Sequence, residues 1–527
     1  MTMSPPRLIR LLILALVAAG AGCALGGPTS VTPAPDGGQP ARTFGERPKG
    51  PEYAAPQLAI GQEGSLYLIW LAFERGKSWD VLLARSEDFG ATWSPPRSLK
   101  PDKAAVAGGI RIATSPTGPI YVVWHQRDQA ASPRKLRLLR STDKGVHWDD
   151  LFQGLKSAQE VPGAQIVTDQ DGGVSTAWLV WEKDHRALEV VTAPDPGTTE
   201  LPTPIRLSAA FPTSQYSIVT HGFTSDGKGS LYVIWEEIKA ATDHRIYLNR
   251  SVDRSKTWVE QPILVSAAED QPHMAHRPKI LAVPQGQVYV VWEQHEYRPG
   301  RDYVPGEVMK PDRLIYVNRS LDYGRTWLPR PVRVNTIREE LVQSSNAQIS
   351  PDRRGHLYVT WVEEDAKRGR LLVARSTDLG VTWSRPTRLD LTSPFAGHLG
   401  LPEIQSDEGG HVWVLWQELT EKKTWQLLMN RSTDHGQTWQ RQATVLSGRR
   451  HGGGSFRGVA FQHDGTGRLY VAWDGGPEND REIYATRSTD FGVSWPPPEV
   501  LVGQRSGPGL SESGGGEAEG PRVALLD

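Results

Sequence analysis

The sequence predicts an all-β chain, a β-propeller of four-stranded antiparallel blades, and three observations lead there. A pattern R-S-x-D-x-G-x-x-W recurs seven times: "RSEDFGATW" (85–93), "RSTDKGVHW" (140–148), "RSVDRSKTW" (250–258), "RSLDYGRTW" (319–327), "RSTDLGVTW" (375–383), "RSTDHGQTW" (431–439) and "RSTDFGVSW" (487–495). Ahead of each stands a glycine-led alternating run that ends in tryptophan, such as "GSLYLIW" (64–70), "GQVYVVW" (286–292) or "GRLYVAW" (467–473). Long apolar stretches with a 3.6-residue period are missing after residue 22, so few helices are expected.

The elements of one unit follow in order. A short run such as "PQLAI", "IRIAT" or "PEIQS" makes the first strand, and the glycine-led run makes the second. Residues ahead of the Ser-Asp turn, as in "DVLLARS" and "EIYATRS", make the third, and "PRSL", "PTRL" or "PEVL" the fourth. Four short strands repeated at this spacing are the pattern of a propeller blade. The Ser-x-Asp-x-Gly run is then the hairpin between strands three and four. Its aspartate accepts hydrogen bonds from the turn's own N–H groups, its glycine supplies a positive φ, and its tryptophan buries a ring against the neighbouring strands. Turn aspartates fall at Asp88, Asp143, Asp195, Asp253, Asp322, Asp378, Asp434 and Asp490, which counts eight blades. The third unit is degenerate, with Glu200 where tryptophan belongs, and seven blades result if it does not form.

This is the Asp-box, or BNR, repeat, and from about residue 53 to 503 the chain resembles the sialidase (neuraminidase) superfamily of β-propellers. The resemblance implies that Asp88, Asp143, Asp253, Asp322, Asp378, Asp434 and Asp490 are structural and lie at the blade periphery. For a sialidase it also implies three arginines on a substrate carboxylate, a tyrosine nucleophile assisted by glutamate, and an aspartate acid/base. The family's Arg-Ile-Pro tripeptide does not occur, and "IRIA" with Arg111 comes nearest. Arg111, Arg277 and Arg457 are the candidate arginines, with Tyr216 and Glu293 as the weaker partners. No tyrosine or aspartate matches a catalytic motif of the family, and Tyr216 is singled out mainly because it precedes an innermost strand.

The ends carry a different message. Arg7 and Arg10 precede an apolar run from Leu11 to Gly22, too short for an ordinary transmembrane helix, which reads as a signal peptide over 1–22. Cys23, the only cysteine, follows directly, which resembles a bacterial lipoprotein lipidated at that residue. Ala24 then favours the outer membrane; without lipidation the chain is secreted. Residues 23–50 are a Gly/Pro-rich tether, 51–503 the propeller, 504–520 a Gly-rich linker and 521–527 a terminal strand that closes the ring or lies outside it. A formal charge of −1 without a basic stripe argues against nucleic acid as a partner. No His/Cys metal spacing, phosphate loop or nucleophile elbow is present, so neither metal nor cofactor is expected.

Three features bear on a ligand site, on the face opposite the Asp-box turns. Seven residues before the glycine of each second strand stand Gln57, Arg111, Gln165, Lys279, Gln348 and Glu403, with Arg457 in a similar place if residues are inserted after it. They predict a polar lining of the central channel, or simply a wet pore. After the second-strand tryptophans come Glu182, Glu236, Glu237, Glu293, Glu363, Glu364, Glu418 and Asp474. Such carboxylates suit glycoside hydrolysis when paired; their recurrence reads more simply as a solvated rim. The long loop at 293–313 carries Tyr297, Arg298, Arg301 and Tyr303, aromatic and cationic as in sugar-binding loops, and faces a segment with His273, His276 and Arg277. The sequence therefore favours a surface module that binds a glycan or an envelope protein through Arg111, Lys279, Glu403, Tyr297, Arg298, Arg301 and Tyr303. An exo-acting, retaining glycosidase of the sialidase type is the alternative.

Overall fold

The computed structural model describes residues 52–502, apart from connecting segments at 74–78, 100–105, 128–134, 153–162, 183–184, 208–216, 241, 267–273, 298–310, 337–341, 365–368, 391–397, 448–455 and 477–480. The expectations for Cys23, Tyr216, His273, Arg298, Arg301, Tyr303 and the strand at 521–527 fall outside the described residues. Among those described, strands fill eight successive four-stranded antiparallel units, and the sole helical element is a three-residue 3₁₀ turn at Gln62–Gly64. No described helix is long and apolar enough to cross a membrane.

First strands are Glu52–Ile60, Val106–Thr114, Gln165–Thr168, Ser217–Ser225, Met274–Ala282, Gln343–Pro351, Leu399–Ser406 and Val459–His463, taken here as units 1 to 8. Each pairs with its second strand, which pairs with the third, and the two- to four-residue fourth strand lies outermost. First strands contact one another in turn, and that of unit 1 also packs on that of unit 8, so the ring closes upon itself. Units 4, 5 and 6 join into one continuous sheet through single parallel pairings, His244 with Met274 and Arg313 with Gln343. The core lies between units. Second-strand tryptophans Trp70, Trp124, Trp235, Trp292, Trp361, Trp416 and Trp473 are fully buried there, where flat rings fill the space between stacked sheets.

The Asp-box turns behave as their residue types require. In all seven regular boxes the carboxylate accepts from the serine hydroxyl two residues earlier, at 2.6–2.9 Å. It also accepts the N–H four residues later, at 2.8–2.9 Å. Gly380 holds φ +87 with Leu357 Cδ1 only 3.0 Å from where a Cβ would stand. Unit 4 departs from this, and Ser255 takes the same turn at φ +67.

The arginine that opens each repeat has a role the turn alone does not explain: in several units its guanidinium reaches the Asp-box of the following unit. Arg85 donates to Lys144 O (3.1 Å), Arg140 to Thr198 O (2.7 Å) and Arg375 to His435 O (3.2 Å). Arg487 of unit 8 donates to Asp88 O (3.1 Å) and Phe89 O (2.8 Å) of unit 1, joining residues some 400 positions apart. Arg468 stacks on Phe89 at 3.8 Å across the same junction. Below them Tyr53, Leu58 and Trp70 share one core cluster with Tyr470, Ile483 and Val502.

Candidate functional site

Six first strands carry a bulge, a register shift that in five of them falls just ahead of the polar position, as between Gly108 and Arg111 or His276 and Lys279. Where the bulged residue is described it sits in the left-handed region: Ala55 (φ 54), Gly109 (φ 64), Arg277 (φ 53) and Asn346 (φ 58). A bulge leaves an N–H without its ladder partner, and the carboxylates after the second-strand tryptophans supply acceptors. Glu236 Oε2 of unit 4 accepts Arg277 N–H of unit 5 at 3.1 Å, and Glu293 Oε1 of unit 5 accepts Asn346 N–H of unit 6 at 2.9 Å. Asp474 accepts the N–H groups of Arg457 (2.9 Å) and Gly458 (2.8 Å) and pairs with buried Arg481 at 3.0 Å. The expected solvated rim is thus corrected. Glu236, Glu237, Glu293, Glu363, Glu418 and Asp474 are all buried, and only Glu364 is exposed. The side chain of Glu182 lies outside the described residues.

Register also settles the polar column. Gln57, Arg111, Gln165, Lys279, Gln348 and Glu403 each pair with the residue just before the second-strand tryptophan. Unit 4 has Gly222 at this position, opposite Ile234, and unit 8 has Ala460, opposite Ala472. Arg457 does not belong to the column. It stands ahead of its strand, exposed, because Asp474 holds its N–H and that of Gly458 there. Charges two units apart nevertheless sense one another. Burial pushes the Glu403 carboxyl up to about 7, and Lys279 pulls it back. Burial draws the His221 imidazole down to about 4, and Arg111 contributes in the same direction. Burial also lowers Arg111 itself, whose guanidinium donates to Ile110 O at 2.8 Å.

The densest set of ionisable groups lies where unit 4 meets unit 5. Glu236 comes from the second strand Leu231–Ala240 and His244 from the third strand Asp243–Ser251 of unit 4. His276 and Arg277 open the first strand of unit 5, and Glu293 and His295 end its second strand Val288–Glu296. Glu236 Oε1 meets His244 Nδ1 at 3.1 Å and His276 Nδ1 at 3.0 Å. The His276 ring lies 4.5 Å from that of His244 and 4.4 Å from that of His295. Burial opposes ionisation of Glu236, but hydrogen bonds from His244, His276 and the Arg277 N–H hold its carboxyl down at about 2. Burial, reinforced by His276 and Arg313, draws His295 down to about 4, so its ring is neutral at pH 7. The Arg277 guanidinium is exposed, 3.6 Å from Glu293. Lys279 is exposed two residues on, and Tyr297, just past the second strand, is 51% exposed.

A second carboxylate–imidazole cluster lies on the Asp-box face. Asp352 Oδ2 meets His356 Nδ1 (2.7 Å), His435 Nδ1 (3.3 Å) and the Tyr358 hydroxyl (3.2 Å). On that face too, a cavity of about 890 Å³ opens at the ends of first strands from units 1 to 4 and 8, among Thr114, Thr168, Ser225, His463 and Arg468. The cluster at units 4 and 5 is the one that joins sequence-predicted residues, Glu293, Arg277 and Lys279, to ones the sequence left unassigned, His244 and His295. His244 lies 32 residues before His276 in sequence, and the parallel pairing of His244 with Met274, together with the ladder that sets His276 opposite Glu293, brings them together.

Residues 314–511 match the profile of the BNR repeat-like domain. No curated protein matches the chain. Among solved structures, an ulvan lyase is similar at 12% identity, covering 70% of this chain and 89% of its own, with a TM-score of 0.45. A sialidase from Streptococcus pneumoniae is similar at 13% identity, over 82% of this chain and 66% of its own, with a TM-score of 0.34. An α-L-arabinanase from Penicillium chrysogenum is similar at 12% identity, over 63% and 94%, with a TM-score of 0.37.

Proposed function

Starting from a β-propeller whose residues 314–511 carry a BNR repeat-like domain, we propose that the chain is an exported, lipid-anchored binding module that holds an acidic glycan at the junction of units 4 and 5. The observation that carries this reading is the presentation of Arg277. Its N–H is fixed on Glu236, its backbone is held at φ 53, and its guanidinium is exposed 3.6 Å from Glu293, with exposed Lys279 two residues on. A guanidinium positioned by its own backbone suits a carboxylate or sulfate, with little further ordering needed on binding. Tyr297, the residue after the second strand of unit 5, offers an exposed ring, a surface on which a sugar face can stack.

The binding reading is favoured over hydrolysis by the placement of the three candidate arginines. Arg111, Arg277 and Arg457 belong to units 2, 5 and 8, and each has its own engagement: Ile110 O, Glu293 and, through its N–H, Asp474. A carboxylate clamp needs guanidiniums converging on one point.

The test is calorimetric titration of the full chain with a uronate-containing oligosaccharide and with a neutral one of equal length. The acidic ligand binds, and Arg277→Ala weakens it about tenfold or more, equivalent to about 1.4 kcal/mol. Equal affinity for both ligands, or an Arg277→Ala variant that binds as the parent does, sinks the reading. Sialoside turnover that disappears in Arg111→Ala would replace it with the hydrolase.

A further inference from the structure

We infer that Glu236, His244 and His276 form a three-ligand site for a divalent transition ion, zinc foremost, bridging units 4 and 5. The site is argued from donor geometry and stands whether or not an acidic glycan binds beside it. Zinc holds imidazole nitrogens at about 2.0–2.1 Å and carboxylate oxygens at about 2.0–2.2 Å in a tetrahedron, so two donors of one ion lie roughly 3.3 Å apart. Glu236 Oε1 is 3.1 Å from His244 Nδ1 and 3.0 Å from His276 Nδ1. All three donor atoms lie within 4.8 Å of one another. Seating an ion asks the carboxylate to move by a few tenths of an ångström and the two rings to lean together.

The surroundings are those of a ligand set. Glu236 keeps its second oxygen on the Arg277 N–H at 3.1 Å, which fixes the plane of the carboxylate as outer hydrogen bonds do around metal centres. His276 Nε2 is buried and has no hydrogen-bond partner among the described residues. Without metal its Nδ1 donates to Glu236; an arriving ion displaces that proton to the unpartnered Nε2, and the Nδ1 lone pair ligates. Two imidazoles and one carboxylate favour zinc, cobalt or nickel over magnesium or calcium. Three protein donors leave the fourth position of the tetrahedron to water or to an oxygen of a bound molecule.

The experiment strips the full chain with a chelator and titrates zinc by calorimetry, with cobalt(II) absorption reporting tetrahedral geometry. The parent takes up one tight equivalent, and magnesium produces no heat. His276→Gln and His244→Gln each weaken that equivalent more than about 100-fold, whereas His356→Gln, in the Asp-box-face cluster, keeps it. Circular dichroism and metal-free melting, alike in parent and variants, separate ligand loss from misfolding, and His244→Gln serves if His276→Gln does not fold. The site is overturned if the parent binds no zinc, if both histidine variants bind it as tightly as the parent, or if the equivalent disappears in His356→Gln instead.

Discussion

Replacing Arg487 with alanine tests the closed ring directly. Seven of the eight inter-unit junctions are also crossed by the polypeptide; among the described residues, the one between units 8 and 1 is held by side chains and backbone contacts. Arg487 places two charged hydrogen bonds there, on Asp88 O at 3.1 Å and Phe89 O at 2.8 Å. A hydrogen bond to a charged group contributes about 1.5–3 kcal/mol. Arg487 is half-buried, and water reaches the vacated carbonyls, so the pair together should cost about 2–3 kcal/mol when removed. Every 1.4 kcal/mol is tenfold, so local opening rises roughly 30- to 150-fold. Amide hydrogen exchange reads this in the first strand of unit 1, Glu52–Ile60, and in the third strand of unit 8, Glu482–Ser488. Arg375→Ala is the control, since it removes one bond to His435 O at a junction the chain also crosses. Its effect should stay under about tenfold. If Arg487→Ala leaves exchange in Glu52–Ile60 unchanged, or if the two variants loosen their junctions equally, the arginine does not close the ring.

Two further expectations concern pH. The Asp378 carboxyl is held down at about 2 because its hydrogen bonds to Thr382 and Ser376 outweigh the opposing effect of burial. A depressed acid stabilises the fold above its ordinary value near 3.8, and the contribution disappears as pH falls through about 2. Asp378→Ala should therefore cost about 1 kcal/mol in urea unfolding at pH 7, the low end for exposed groups, and only a small fraction of that near pH 2; a pH-independent cost would contradict this. Glu403 runs the other way. Burial raises it to about 7, so ionisation penalises the folded state and stability is lost as pH rises from near 4.5 through 7. Glu403→Gln should melt with the parent at pH 4 and higher than it at pH 8, and a constant offset between them would remove burial as the cause.

The strands, the hairpins and the count of turn aspartates were readable because each rests on a local pattern. Ser376, Asp378 and Gly380 meet within a few residues, and the period-2 run to Trp361 declares its own burial. The repeat arginines were equally visible, but their acceptors lie 55 to 60 residues downstream or, for Arg487, at the far end of the chain. Fixed spacing from Gly467 leads to Ala460, which does occupy the column; Arg457 entered it only on an assumed insertion, and the Asp474 carboxylate in fact holds residues 457 and 458 outside the strand. The same blindness made Glu236 and Glu293 look like solvated rim groups. A bulge exposes an N–H only in three dimensions, and the acceptor for it arrives from the neighbouring unit.

The core cluster that Tyr53 and Val502 share makes the chain's starting point arbitrary. An open solenoid has two ends that fray first; a hoop has none, and its eight staves differ little in kind. Nicked between Asp390 and His398, with residue 502 spliced to residue 52 by a short linker, the polypeptide would trace the same circle from a different clock position. Where the gene begins is then a matter of which stave was written first, while the molecule keeps a single uninterrupted rim.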